Sequence, residues 1–278
     1  MSAPGQPGRW RFDLHVHSDR SDGRLPPEEV LRRAAVGGLD VLALTDHDSA
    51  PVLPHGPCRV AGRTVHVLHA AEVSGMHEGQ ELHLLVYFRG EMPPAFRGLC
   101  KSLSMARATR YREAAAALGH AELAPPSDEA CAGERAVTRV HLSEALVAAG
   151  HARNLSDAFA RFTGSRLGMV PPVPLSFLAA IRLARAAGGL CSWAHPGDEQ
   201  ARAWTGTFAA EGLHALEASR PGLSPMAKNS LLRLAHRHGL RITGGSDFHG
   251  FEGQRALGSW SFPAREARPF ARALGLPV

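Results

Sequence analysis

Apolar and polar side chains alternate over residues 11–17, and this two-residue period is typical of a β-strand. A polar turn follows at residues 18–23. Residues 26–38 predict a helix, because two prolines open the segment, two glutamates fall in its first turn and two glycines end it. An apolar run then covers residues 39–44 and ends in Thr-Asp-His-Asp. This strand, helix, strand order predicts a right-handed parallel unit.

The alternation of strands and helices resumes later in the chain. Further strands are expected at residues 65–73, 81–88, 190–194, 214–218 and 240–243, and further helices at residues 176–187 and 224–238. Polar clusters follow almost every expected strand. The sequence therefore predicts an α/β fold with strand–helix alternation throughout. A barrel with its site at the C-terminal mouth of the strands fits best, and a doubly wound sheet is the alternative.

Residues 95–174 interrupt this alternation, because helical periodicity dominates there and strand signals are scarce. Helices are expected at residues 96–118, 140–149 and 156–162, and the segment ends in a proline-rich stretch. We interpret residues 95–174 as a helical insertion subdomain within one barrel domain that spans residues 9–278.

Composition fits an ordinary globular protein, since 44% of the 278 residues are hydrophobic and 21% are charged. No apolar run approaches the roughly 18–20 residues that a membrane helix needs, and the N-terminus lacks the features of a signal peptide. A cytoplasmic protein without membrane association is therefore expected. The four cysteines form no Cys-x-x-Cys pair, which argues against a disulfide framework and against a thiolate zinc site.

The chain carries a formal net charge of +5, and nearly all of its basic residues are arginines. A guanidinium group can hold a phosphate through two parallel hydrogen bonds, although a GC-rich genome would produce the same bias without any such function. The 16 histidines are more informative, because histidine is the commonest metal ligand and a usual proton carrier.

Histidines and carboxylates gather at the expected strand ends. His15 and His17 are two residues apart on a strand, so both imidazoles point to one face and can share an ion. The other members of the set are Asp22, His47, Glu72, His83, His195, Asp247 and His249. Burying so many ionisable groups without cations would cost several kcal/mol each. The sequence therefore predicts a metal centre.

The donor set limits which metals this centre can hold. Mixed ligation by His, Asp and Glu without Cys suits Zn²⁺, Mn²⁺ or Fe²⁺ better than Ca²⁺. The number of carboxylates indicates two or three divalent ions with at least one bridging carboxylate. Asp46 and Asp48 flank His47, and we expect them to orient that ligand rather than to bind metal directly.

Five segments resemble, in order, the motifs of the PHP family, named for polymerase and histidinol phosphatase. They are DLHVHSDRSDG at 13–23, ALTDHD at 43–48, the pair Glu72 and His83, WAHPG at 193–197 and GGSDFHG at 244–250. The resemblance implies a distorted seven-stranded, TIM-like β/α barrel with a trinuclear metal site that hydrolyses phosphoesters. It assigns one ion to His15, His17, Glu72 and Asp247, a second to Asp22, His47 and His249, and a third to Glu72, His83 and His195.

Within the family, the chain is most similar to a branch of stand-alone nucleoside 3′,5′-bisphosphate phosphatases and 5′–3′ exoribonucleases acting on short RNA. Thr-Arg-Val-His at 138–141 resembles the branch's Arg-x-His segment. Residues 164–170 resemble its Gly-Lys-Pro-x-Tyr-Val loop, with Arg166 in place of the usual lysine. The resemblance implies that Arg139, His141 and Arg166 bind substrate phosphate.

The expected reaction is hydrolysis of a phosphate monoester by a metal-bound water, without a separate side-chain nucleophile. The expected substrate is a small phosphorylated molecule, either a nucleotide or a short oligoribonucleotide, and no obligate protein partner is indicated. Histidinol phosphatase and cyclic-phosphate phosphodiesterase are the enzymatic alternatives. A non-catalytic PHP module that binds a partner is the alternative of another class.

The remaining basic residues are interpreted as structural. Arg107, Arg110 and Arg112 are expected to be surface charges on the first helix of the insertion. Histidines outside the motifs are assigned no chemistry, and they are His55, His66, His69, His77, His120, His151, His214, His236 and His238.

Overall fold

The computed structural model describes residues 10–123, 126–164 and 167–278. Its strands are β1 (Phe12–Val16), β2 (Val41–Leu44), β3 (Gly56–Val60), β4 (Arg63–His77), β5 (Gln80–Tyr87), β6 (Leu190–Trp193), β7 (Ala215–Ser219) and β8 (Arg241–Gly244). Its helices are α1 (Pro27–Val36), α2 (Pro94–Ala117), α3 (Asp128–Cys131), α4 (Arg139–Ala148), α5 (Leu155–Ala158), α6 (Phe177–Ala186), α7 (Asp198–Ala210), α8 (Pro225–Arg237) and α9 (Ala264–Ala273). A π-helical turn, Phe159–Thr163, continues α5.

Seven strands form one curved sheet in the order β1-β2-β4-β5-β6-β7-β8, and β3 pairs with β4 beside it. The pairing of β5 with its two neighbouring strands differs from the parallel pairing expected. β5 runs antiparallel to both β4 and β6. The strand–helix alternation predicted throughout the chain is wrong at this point. The connection between β4 and β5 consists of Glu78 and Gly79, both with positive φ, and a two-residue hairpin leaves no room for a crossover helix.

The segment after β8 closes the sheet against β1, which confirms the predicted distorted seven-stranded barrel. The backbone N–H of Asp247 donates to the carbonyl of His15 at 2.9 Å, and that of His17 donates to the carbonyl of Phe248 at 2.8 Å. The ends of β1 and β8 therefore lie side by side, together with the polar side chains that follow them.

Helix α1 shows how the sequence pattern positions the outer layer. Pro27 lies at its start, Glu28 and Glu29 occupy its first turn, and Val30, Leu31, Ala34 and Ala35 are buried, as the apolar stripe predicts. These side chains pack on Leu42 and Val67 of the sheet. Each large apolar side chain buried in this way contributes about 1.5–3 kcal/mol.

The sequence pattern did not predict α7, α9 or β3. The buried face of α7 consists of Ala201, Trp204, Thr205 and Phe208, and that of α9 consists of Ala267, Phe270 and Ala271. The buried face of α7 has only two large apolar residues, so its helical period is weak in the sequence alone, and Pro269 inside α9 argues against a helix there. β3 lies just before β4 and pairs antiparallel with the first residues of that long strand.

The helices between β5 and β6 have an apolar core of their own. Tyr111 and Ala114 of α2 pack there with Leu142 and Leu146 of α4. The first half of α2 instead packs on the barrel core through residues such as Phe96. Helix α2 therefore connects the two cores, and the insertion boundaries at 95 and 174 stay a prediction.

Within the described residues, Cys58, Cys100, Cys131 and Cys191 are all free thiols. Cys100 and Cys191 are buried among apolar side chains, where they act as small hydrophobic residues. Among these same residues, no helix has the length and apolar character that a membrane crossing requires.

Candidate metal centre and adjoining cavity

The fold gathers all nine predicted metal ligands at one end of the barrel. They come from β1 and the turn after it, the loop after β2, the middle of β4 and β5, and the loops after β6 and β8. The nine are His15, His17, Asp22, His47, Glu72, His83, His195, Asp247 and His249. The side chains of all but His195 fall into three overlapping groups that could each hold an ion, with His17 and His47 shared between groups.

Glu72 lies at the middle of the centre and is almost completely buried. Its Oε2 atom is 3.3 Å from His15 Nε2, 3.2 Å from His17 Nε2 and 3.1 Å from His47 Nδ1. Asp247 faces the same nitrogens of His15 and His17, with Oδ1 3.4 Å from His15 Nε2 and 3.3 Å from His17 Nε2. These contacts join the donors that the family resemblance assigns to the first ion.

The second oxygen of Glu72 faces a different pair of histidines. Glu72 Oε1 is 3.2 Å from His83 Nδ1 and 3.2 Å from His195 Nε2, and those two nitrogens are themselves 3.2 Å apart. An ion with ligand bonds of about 2.0–2.2 Å in tetrahedral geometry separates its donors by about 3.3–3.5 Å. The three donors are therefore spaced as the ligands of one ion would be, and Glu72 is placed to bridge two ions.

Asp22 collects the remaining histidines. Its Oδ1 atom lies 3.3 Å from His249 Nε2, and its Oδ2 atom lies 3.7 Å from His47 Nε2. His249 Nδ1 faces the backbone carbonyl of Asp247 at 3.0 Å, so Nε2 is the nitrogen directed at the carboxylate. This group corresponds to the second predicted ion, with His17 added to it.

Unsatisfied buried atoms provide a test of whether the site suits a metal. His15 Nε2, His17 Nε2, Asp22 Oδ1 and His47 Nδ1 are buried and lack a hydrogen-bond partner, although carboxylate or imidazole atoms lie near them. A buried polar atom without a partner costs about 1–3 kcal/mol. Divalent ions require ligand atoms that face a shared space rather than one another. The residues of the centre have this arrangement, so they fit divalent metal ions.

The electrostatics of the centre favour cations. Burial alone would lower the pKa of His17, but Asp247, Glu72 and Asp22 raise it to about 10. The pKa of His83 is raised in the same way to about 9, chiefly by Glu72. The pKa of Glu72 lies well below its usual value despite burial, because His47, His15 and His83 surround it. Divalent ions would replace these protons, since metal ligands must be deprotonated.

Three non-glycine residues near the centre have positive φ, which costs about 1–3 kcal/mol each unless surrounding contacts hold the backbone. They are Asp48 at 44°, His195 at 34° and Asp247 at 52°. The backbone N–H of His195 donates to Glu217 at 2.8 Å, and the Asp48 carboxylate accepts from Arg107 at 2.6 Å. The strained loops that present ligands are thus fixed by buried carboxylates.

Asp46 supports the turn that carries Asp22. Its carboxylate accepts hydrogen bonds from the backbone N–H of Ser18 at 2.8 Å, from Ser18 Oγ at 2.6 Å and from Ser21 Oγ at 2.7 Å. Asp48 accepts from Arg107 and from the backbone N–H of Ser74, so both aspartates flanking His47 face protein donors. This arrangement is consistent with an orienting role, which stays a prediction.

Sequence reasoning missed Glu217, a completely buried glutamate on β7. Its Oε1 atom is 3.0 Å from His15 Nδ1, and its Oε2 atom accepts from the His195 backbone N–H. A carboxylate can only accept, so His15 Nδ1 carries the proton and Nε2 offers its lone pair to the centre. An acidic residue inside the apolar run of residues 215–218 was the available signal.

A cavity of about 200 Å³ opens beside the centre. Its polar lining residues include Asp22, His47, Glu81, His83, Arg107 and Arg110, and the lining also includes Tyr111, Val137, Thr138, Arg139, Val140, Leu142, Phe159 and Val170. The expectation that Arg107 and Arg110 are surface charges is wrong, because both are buried and pair with Asp48 and Glu81. Arg112 is exposed, as expected.

The predicted phosphate ligands occupy different places. Arg139 starts α4 and lines the cavity. His141 lies two residues further inside α4, and its Nδ1 atom accepts from the backbone N–H of Thr138 at 3.0 Å, which caps the helix. Arg166 lies outside the described residues. The phosphate-binding roles of all three stay predictions.

Comparison with known proteins decides the family. A family model described as PHP domain matches residues 13–152, which is half of the chain. The chain belongs to the PHP family. The match includes six of the nine predicted ligands, on or near β1, β2, β4 and β5, as well as Asp46, Asp48 and the first helices of the insertion.

Relatives match this PHP protein over most of its length. It is 32% identical over 282 residues to the 3′,5′-nucleoside bisphosphate phosphatase of Chromobacterium violaceum, covering 95% of this chain and 96% of the relative. It is 31% identical over 248 residues to the 5′-3′ exoribonuclease Rnm of Salmonella typhimurium, covering 86% and 85%. A crystal structure described as a metal-dependent phosphoesterase from Bifidobacterium adolescentis has a TM-score of 0.73 at 27% identity, covering 96% and 97%. The chain is a metal-dependent phosphoesterase of the PHP family.

Proposed function

We propose that this phosphoesterase removes phosphate from a nucleotide that carries a second phosphate, a class that includes nucleoside 3′,5′-bisphosphates and the 5′ ends of short RNA. The observation that carries the proposal is the mixed lining of the cavity. Three predicted metal ligands line it, and so do the aromatic residues Tyr111 and Phe159. A nucleobase can pack on these aromatic rings while a phosphate reaches the metal ligands.

The nine ligands would hold two or three divalent ions, of which Mn²⁺, Zn²⁺ and Fe²⁺ suit the donor set. Ions bound there would polarise the scissile phosphate and activate water for attack on phosphorus. The chain's own contribution is orientation. Glu217 fixes the proton of His15 on Nδ1, and Asp46 and Asp48 hold the loops that carry Asp22 and His47.

The arginines of the insertion are proposed to hold the non-reacting phosphate. Arg139 lines the cavity at the start of α4, and Arg166 follows the π-helical turn in the sequence. Arg107 and Arg110 pair with Asp48 and Glu81, and we expect them to shape the polar lining of the cavity.

The test is a hydrolysis screen of the Mn²⁺-loaded protein against matched substrates: a nucleoside 3′,5′-bisphosphate, short 5′-phosphorylated RNA, a nucleoside monophosphate, a cyclic phosphate and histidinol phosphate. Free phosphate is measured for the monoesters, and the products are separated by chromatography for the RNA and the cyclic phosphate, because cleavage of a diester leaves a monoester. We expect kcat/KM for the bisphosphate or the RNA to exceed the others at least tenfold. Preference for histidinol phosphate or for the cyclic phosphate would overturn the proposal, and so would hydrolysis of none of the five.

Two phenylalanines in the π-helical turn provide a matched pair of variants that test the aromatic part of the cavity lining. Phe159 lines the cavity, whereas Phe162 packs against Arg161 and His120. Phe159→Ala is expected to lower kcat/KM for the nucleotide about tenfold, as loss of one aromatic packing contact predicts, with glycerol phosphate hydrolysis unchanged. Phe162→Ala should leave both substrates unaffected. Equal losses with Phe159→Ala on both substrates would argue against base packing there.

A further inference from the structure

Two histidines of the insertion occupy equivalent positions at the ends of two helices. His120 follows Gly119 after α2, and His151 follows Gly150 after α4; the two glycines have φ of +78° and +79°. Each histidine N–H donates to the carbonyl five residues earlier, at 2.9 Å in both cases. This pairing is the Schellman termination of a helix, which fixes the backbone of the residue after the glycine. The chain therefore presents both imidazoles from rigid positions.

The two imidazoles meet at one carboxylate. Their ring centroids are 3.7 Å apart, and Glu122 Oε1 lies 3.2 Å from His120 Nδ1 and 3.4 Å from His151 Nε2. These separations resemble the donor spacing of about 3.3–3.5 Å around a tetrahedral zinc ion. The imidazoles are partly exposed and the carboxylate is mostly exposed, so an ion can reach them and complete its shell with water.

We propose that His120, Glu122 and His151 form a second, independent metal site that binds one zinc-class divalent cation. Two neutral imidazoles and one carboxylate are ligands that Zn²⁺ prefers. None of the three residues lines the catalytic cavity described above, and none belongs to the nine ligands of the barrel. The site is therefore separate from the centre that hydrolyses phosphoesters.

An ion at this site would join the C-terminal end of α2 to that of α4. Leu123 and Ala152, which immediately follow the site, pack in the insertion core together with Tyr111 and Leu142. Tyr111 and Leu142 also line the cavity. Binding would therefore stiffen α2 and α4, which contribute Tyr111 and Leu142 to the cavity lining. Its measurable effect would be on the stability of the insertion rather than on the hydrolytic rate.

The test counts zinc in metal-stripped protein after equilibrium dialysis against micromolar Zn²⁺. The variant His120→Gln/His151→Gln should bind one equivalent fewer than the wild-type chain and keep its hydrolytic rate on a simple aryl phosphate within twofold. The control, His236→Gln/His238→Gln at the end of α8, should bind as much zinc as the wild type. Equal zinc in the two double variants would overturn the proposal.

A single substitution keeps the proposal falsifiable if the double variant does not fold. Glu122→Gln leaves both histidines in place and removes the negative ligand. The affinity for one zinc equivalent should therefore fall at least tenfold, and the zinc-induced rise in Tm should be smaller. An unchanged zinc affinity would contradict the site. Either failure would leave the barrel centre and the proposed substrate class unaffected, because hydrolysis is measured separately.

Discussion

His15 Nδ1 and Glu217 Oε1 lie 3.0 Å apart, and both side chains are completely buried. The opposite nitrogen of the same ring lies 3.3 Å from Glu72. The carboxylate of Glu217 therefore sets which nitrogen of His15 faces the metal centre. Its second oxygen holds the backbone of His195, so one side chain positions two predicted ligands.

Substitution of Glu217 is predicted to weaken metal binding. In Glu217→Gln, the amide NH₂ opposes a donor in either orientation, because both His15 Nδ1 and the His195 N–H donate to the native carboxylate. Metal affinity should fall about 10- to 100-fold, the usual effect of losing such a partner. Competition with a chromogenic chelator would measure it. Glu211→Gln, at a partly exposed glutamate paired with Arg182, is the matched control and should leave affinity unchanged.

The buried pair between Arg107 and Asp48 is predicted to be important for stability. Arg107 Nε lies 2.6 Å from Asp48 Oδ2, and a second guanidinium nitrogen donates to Ser74 Oγ at 2.7 Å. Arg107→Met would leave the Asp48 charge buried and uncompensated, which costs about 3–5 kcal/mol. Denaturant unfolding would measure the loss, and Asp48→Asn in the same chain should recover part of it.

The exposed neighbour Arg112 provides the control for that experiment. Arg112→Met changes the same residue type on the same helix and is expected to alter the free energy of unfolding by less than about 0.5 kcal/mol. Similar losses in the two variants would show that the pair with Asp48 contributes little.

His141 is predicted to make the stability of α4 dependent on pH. Burial lowers the pKa of His141, and its Nδ1 atom must be unprotonated to accept from the Thr138 N–H. The unfolded chain, with a usual value near 6.5, binds the proton first as pH falls. The contribution of His141 is therefore complete above about pH 6.5 and is lost as pH falls through the lowered value.

His141→Gln isolates this effect, because glutamine at the third helical position forms the same capping box without titrating. Unfolding free energies at pH 7.5 and pH 5.5 should fall less in the variant than in the wild-type chain. An equal fall in both proteins would show that His141 does not titrate against the cap.

The substrate arginines are predicted to discriminate between substrates. Arg139→Ala and Arg166→Ala should each lower kcat/KM for a nucleoside 3′,5′-bisphosphate about ten- to a hundredfold, since one charge-assisted contact contributes about 1.5–3 kcal/mol. Aryl phosphate hydrolysis and metal content should be unchanged. Equal losses on both substrates would place the arginines at the scissile phosphate or in the fold, and no loss on either would favour a monophosphate substrate.

Much of the fold could be predicted from the sequence where local pattern and tertiary structure agree. The alternating residues of β1, the capped helix α1 and the apolar strands β2, β6 and β7 correspond closely to the structure. The antiparallel strand β5 could not be distinguished from a parallel one, because the apolar period of a buried strand is the same in both directions. Its direction depends on the two-residue turn at Glu78 and Gly79.

The site shows the same division. Ligand-type residues are recognisable because histidines and carboxylates are unusual at the ends of apolar strands. The burial of Arg107 and Arg110 could not be predicted, since it depends on α2 crossing the barrel mouth and meeting Asp48 and Glu81. The convergence of His120 and His151 similarly depends on how α2 and α4 pack, which separation in the sequence does not reveal.

The most direct test of the metal centre is phosphate release measured while metal-stripped protein is titrated with Mn²⁺, with bound metal counted at each point. We expect no phosphate release without metal. The rate should reach its plateau as the barrel ligands fill with two or three ions. Chelation should abolish the rate, and fresh Mn²⁺ should restore it. Full phosphate release by protein whose metal has been removed, with the loss confirmed by elemental analysis, would contradict a metal-dependent reaction at this centre.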